Sequence, residues 1–153
     1  MTCDATFDIE QLIPHRLPMR LVEAVVSVDE IAITATAEVR DTWPTVRDGH
    51  AQSLMLIELV AQTAAALQGW RERHADDSKA GMGGLLVGIP DATPLAPTIP
   101  VGTPLVCMVR ITHGTLNYLA FSGQVTSADG QPWLTGSIQA YRPDNLEMLG
   151  EAP

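Results

Sequence analysis

The stretch from residue 53 to residue 70 constrains this chain more than any other. Its central run LMLIELVAQTAAAL, residues 54–67, is apolar on nearly every side of a helix, and a helix with no polar face has to be enclosed by protein or lipid. The run is too short and too interrupted to cross a membrane, so the remainder of the chain has to wrap it. Ser53 suits the N-cap, where a hydroxyl accepts a free amide of the first turn. Gly69, followed by Arg71 and Arg73, suits the C-terminal end. Within this cylinder Glu58 and Gln62 stand four residues apart and so share a face. A carboxylate drawn out of water there needs a partner or a proton. Glu58 is therefore either a satisfied structural group or a functional acid, mostly buried and with a raised pKa.

The flanking segments read as strands. Residues 21–28 and 31–39 are rich in Val, Ile and Thr, alternate in polarity in the second run, and form a hairpin across Asp29 and Glu30. Residues 41–52 carry the turn pair Asp48-Gly49 and read as loop. Residues 81–89, GMGGLLVGI, read as a strand whose glycines admit a second backbone or a ligand. The proline-rich residues 90–104 are expected to be an irregular crossing loop. Strands follow over 105–112, 116–126 and 132–142, with His113-Gly114 and Asp129-Gly130 at the turns. Near the N-terminus, residues 7–12 form a short helical turn ahead of Pro14, and His15 with Arg16 either pins the following loop or faces a ligand. Two strands, a long helix and four more strands make an α+β chain. We expect one domain over residues 1–153, a curved antiparallel sheet wrapped around one long central helix.

Charge and composition exclude several function classes. With 18 acidic against 9 basic residues the net charge is -9, which disfavours nucleic acid and anionic membrane surfaces as partners. The two cysteines, Cys3 and Cys107, form no close pair, and the expected location is the reducing cytoplasm. The four histidines lack the spacing of a zinc site, so neither metal nor cofactor is expected.

Two motifs, taken with the element order, resemble the hot-dog fold of the 3-hydroxyacyl-(acyl-carrier-protein) dehydratases. LIPHRLPMRLVEAVV, residues 12–26, is similar to the family's L-P-H-R-x-P-x-L-L-V-D-x-V entry, and LIELVAQTAAA, residues 56–66, to its helix signature with an acid ahead of an Ala-Gln pair. GLLVG at 84–88 and YRPDN at 141–145 resemble a divergent branch, the dehydratase-like proteins of aryl-polyene clusters. The resemblance implies loss of water from a 3-hydroxyacyl thioester, carried on acyl carrier protein or coenzyme A, in fatty-acid or polyene synthesis. It also implies a site at the interface of a homodimer or a heterodimer with a related hot-dog subunit, paired through the sheet edge. Glu58 falls on the acidic catalytic position and His50 on the histidine. Here, however, Gly49-His50 runs directly into AQSLMLIE, so His50 precedes Glu58 by only eight residues and the family's proline-glycine loop is missing. Candidate substrate-binding residues are Gln62, Leu54, Met55, Gly84, Leu85 and His15, although apolar helix positions are far more often plain core. Two further readings stay open: a catalytically silent partner subunit, and a hot-dog thioesterase in which Glu58 activates water. An acidic carrier protein would need a local basic patch such as Arg16, Arg20, Arg47, Arg71 and Arg73.

Overall fold

The computed structural model describes residues 7–74 and 85–141. The elements are α1 (Ile9–Leu12), β1 (Ala24–Val28), β2 (Ala32–Glu38), β3 (His50–Gln52), α2 (Met55–His74), β4 (Leu85–Pro94), β5 (Thr98–Pro100), β6 (Pro104–Gly114), β7 (Tyr118–Ser127) and β8 (Pro132–Tyr141). Six strands form an antiparallel sheet in the order β1-β2-β6-β7-β8-β4, and β3 and β5 pair separately. One face of the sheet packs on α2, with α1 lying against the same helix. This is the arrangement expected for an apolar helix that cannot be left in water.

The strands follow from their side-chain alternation. Ile33, Ala35 and Ala37 of β2 point inward between half-buried neighbours, as the two-residue period of a strand requires. They meet Leu56, Leu59 and Leu67 of the helix in one buried core, together with Leu105 and Val109 of β6 and Phe121 and Val125 of β7. At the β1-β2 turn the Asp29 carboxylate accepts the amides of Ile31 and Ala32 at 2.8 and 2.9 Å, and these bonds hold its pKa below the usual value. Gly123 lets the helix approach β7 closely, because a Cβ there would lie 2.5 Å from Val60 Cγ1.

Four local expectations are corrected. The helix starts at Met55 and runs to His74, because Gly69 is a packing residue inside it. A Cβ on Gly69 would fall 2.3 Å from the Leu12 carbonyl oxygen, so glycine is what allows α1 to lie on α2. Ser53 turns away from the helix and donates its hydroxyl to the Ala96 carbonyl. Residues 90–104 are partly regular: β4 continues to Pro94 and β5 pairs with β3. Proline is tolerated in β4 because among the described residues this strand is an edge, paired only with β8, and is interrupted in register around Ile89 and Pro90. The β6-β7 turn lies at residues 115–117, beyond His113 and Gly114, with Leu116 at its exposed tip. The connector after the helix, the first residues of the glycine-rich run and the tail from residue 142 lie outside the described residues.

Two measurements check this packing. Gly69→Ala gains up to about 1 kcal/mol of helix propensity, yet forces a methyl group into the Leu12 carbonyl. Overpacking of this kind costs about 1–3 kcal/mol, so chemical denaturation should show net destabilisation; a stabilised variant would disprove the α1-α2 contact. Burial pushes the Cys107 thiol up to about 12, and thiolate is the reactive form. A Cys3→Ser variant should therefore resist alkylation at pH 8 while folded and react once unfolded.

Candidate active site

Residues 13–22 are held against the helix by one amide. Gln62 is fully buried. Its Oε1 accepts the backbone N–H of Leu21 at 2.7 Å and of Val22 at 3.4 Å, while Nε2 donates to the Met19 carbonyl at 2.8 Å and to Glu58 Oε1 at 2.9 Å. Arg16 braces the same segment, with Nη1 donating to the carbonyls of Ile13 and His15 at 3.0 and 2.9 Å and Nη2 to that of Glu10 at 3.1 Å. The backbone on both sides of His15 is thereby fixed.

This bracing brings His15 to Glu58. His15 Nε2 lies 3.6 Å from Glu58 Oε1, close enough for an ion pair and slightly long for a hydrogen bond. His15 Nδ1 is buried without a hydrogen-bond partner. The Glu58 side chain keeps 35% of its exposure, so it is mostly but not fully buried. The helix places it on its half-open face and Gln62 supplies the buried partner.

Glu58 and His15 line a cavity of about 350 Å³ between the helix and the far end of the sheet. The helix wall is Ala61, Ala64 and Ala65, and the sheet wall includes Leu119, Phe121 and Ile138. Arg71 and the 115–117 turn also border it. A histidine and a carboxylate beside an apolar cavity can pass protons to and from a group bound there, while the apolar walls suit an acyl chain.

The other candidates fall elsewhere. His50 follows a tight turn with positive φ at Asp48 (54°) and Gly49 (76°); it is exposed, its Nδ1 lies 2.9 Å from the Asp48 carbonyl, and it does not border the cavity. Gln62 has its polar atoms engaged by the chain, so it positions Glu58 and is not available to bind substrate. Met55 is in the core and Leu54 is 64% exposed, both away from the cavity. Gly84 lies outside the described residues; Leu85 begins β4, and it is Leu86 that borders the cavity. The suggested basic patch is largely engaged within the chain: Arg16 and Arg20 both pair with Glu10, and Arg73 donates to the Gln11 carbonyl at 2.7 Å. The alanine wall was discoverable, since Ala61, Ala65 and Gln68 follow Glu58 at spacings of three, seven and ten, on one helix face. Among the described residues no cluster suited to a metal ion occurs and no helix is long and apolar enough to cross a membrane.

Several solved structures share this fold. The dehydratase heterocomplex ApeI:P from Xenorhabdus doucetiae contains a chain that superposes with a TM-score of 0.84 at 22% identity, covering 94% of this chain and 96% of that one. A hypothetical thioesterase with coenzyme A from Streptococcus pneumoniae TIGR4 gives 0.61 at 13% identity over 80% and 86% of the two chains. The PaaI protein of the E. coli phenylacetic acid degradation operon gives 0.58 at 12% identity over 77% and 81%. No curated protein sequence matches the chain. The hot-dog architecture is thus shared with dehydratases and thioesterases alike, and the sequence separates them: with residues 7–151 matching the model of the ApeP dehydratase, the chain belongs to the ApeP-like dehydratase family.

Proposed function

We propose that this chain binds 3-hydroxyacyl thioesters, on acyl carrier protein or coenzyme A, and serves their dehydration to trans-2-enoyl thioesters. The observation that carries this reading is the pairing of Glu58 and His15 beside an acyl-sized apolar cavity. In the reaction a base takes the C2 proton, the C2–H electron pair becomes the C2–C3 double bond, and an acid protonates the hydroxyl leaving C3 as water. Glu58 is the acid in this scheme. His15 is the histidine within the same chain's reach, and Gln62 and Arg16 keep both groups in place. His50 takes part only by entering the cavity of a neighbouring subunit, because on its own chain it stands outside.

Pairing with a second hot-dog subunit, identical or related, completes the proposed site. Among the described residues β4 is an edge strand with exposed Val87 and Ile89, and an apolar edge of this kind invites strand addition. Leu86 of β4 and Tyr141 of the neighbouring β8 are both exposed and border the cavity, so a subunit docked at β4 would also cover it. The outward placement of His50 also favours a second reading, a subunit that is silent alone and contributes to a partner's activity.

Enoyl-thioester hydration by the purified chain, alone and mixed with a related hot-dog dehydratase, tests these readings. Glu58→Gln should lose about 10²-fold or more, as loss of a general acid does, with His15→Ala falling comparably. A normal Glu58→Gln rate would remove the carboxyl from the chemistry. A deep loss in His50→Ala with a normal His15→Ala would move the base across the interface. No turnover alone, with gain on mixing, would support the silent subunit. Sedimentation should find a dimer at micromolar concentration, and a monodisperse monomer would count against pairing at β4.

A further inference from the structure

We propose that Arg71 reads the far end of the bound acyl group, and that the acyl groups this cavity accepts carry an oxygen acceptor at their ω end. The inference rests on the acyl-thioester reading above and adds the substrate class. Glu58 and Arg71 border the same cavity and lie thirteen residues apart on α2, about 20 Å along its axis. Between them the helix presents first the small side chains of Ala61, Ala64 and Ala65 to the cavity and then, one turn short of Arg71, the amide of Gln68. The cavity therefore has an apolar middle, an acid and a histidine at one end, and a guanidinium at the other.

A simple alkyl tail would be met best by an apolar end, because a cation facing hydrocarbon forgoes the acceptors that water would supply. Arg71's own ties leave its charge weakly engaged. Nη1 reaches Gln68 Oε1 only at 3.4 Å, and Nε is buried without a hydrogen-bond partner. Its ionic neighbour, Glu30, lies 4.0 Å away and is 73% exposed, a geometry worth little in water. Gln68, Thr115, Asn117 and Tyr141 border the cavity with Arg71, so that end is polar as well as cationic. A carboxylate matches the guanidinium fork and a hydroxyl oxygen offers a single acceptor; both present the same acceptor chemistry.

The test is calorimetric binding of three coenzyme A thioesters of equal chain length to the full chain, bearing a methyl, hydroxyl or carboxylate terminus. We expect the wild type to prefer an oxygen-bearing terminus over methyl by about tenfold or more, the size of one charge-assisted bond. Arg71→Met should abolish that preference while leaving the methyl-ended thioester within about twofold, and Arg71→Lys should restore part of it for the carboxylate, as a point charge without the fork would. Which of the two oxygen termini binds tighter identifies the natural source of the acceptor. Equal binding of all three, or a preference that survives Arg71→Met, overturns the role of Arg71 and leaves the acyl-thioester reading standing. Failure of all three to bind the folded protein overturns both.

Discussion

The structure depends on one buried amide. Gln62 sits inside the core with no exposure, where a side-chain amide is tolerated only if its hydrogen bonds are made. It makes them to the backbone of Met19, Leu21 and Val22 and to the Glu58 carboxylate. The segment leading into β1 is thereby clamped to the helix, and the candidate acid is oriented by the same group. Stability and site geometry are coupled at this point, since replacing Gln62 by an apolar residue would orphan buried backbone groups at about 1–3 kcal/mol each and release Glu58 together.

The helix is enclosed on most of its circumference, but not all. Leu56, Leu59, Ala66 and Leu67 are fully buried, whereas Glu58, Ala61, Ala65, Gln68 and Arg71 form a half-open stripe. Small side chains along that stripe leave room where larger ones would fill it, and the cavity is the result. Among the described residues the sheet ends at β4, where apolar side chains are exposed. The half-open helix stripe and the exposed side chains of β4 thus border one region, where the proposed acyl group and second subunit would be placed.

Local signals misled where a residue serves a distant part of the chain. Gly69 carries the signature of a helix end, yet it is demanded by the Leu12 carbonyl fifty-seven positions earlier. Ser53 has the chemistry of a cap, yet its hydroxyl bonds to Ala96. The prolines of residues 90–104 argue against a strand, and they are accepted because an edge strand has one side free of ladder bonds. The sequence reads His15 more readily as a loop pin than as a site residue. Arg16 does the pinning, which leaves His15 to face Glu58.

By itself the sequence determined the fold class, the long helix, the sheet strands to within a few residues, and Glu58 as the residue of interest. These rest on periodicity and on the physical need to enclose an apolar helix, which are properties of contiguous residues. Only the tertiary structure decided which histidine accompanies Glu58, that Gln62 supports it, and that Leu86 and the alanine stripe border the cavity while Leu54 and Met55 do not. Those outcomes depend on how the loop at residues 13–22 crosses the helix and how far the sheet extends past it. The contacts involved join residues forty or more positions apart, and no local pattern in the chain encodes their distance.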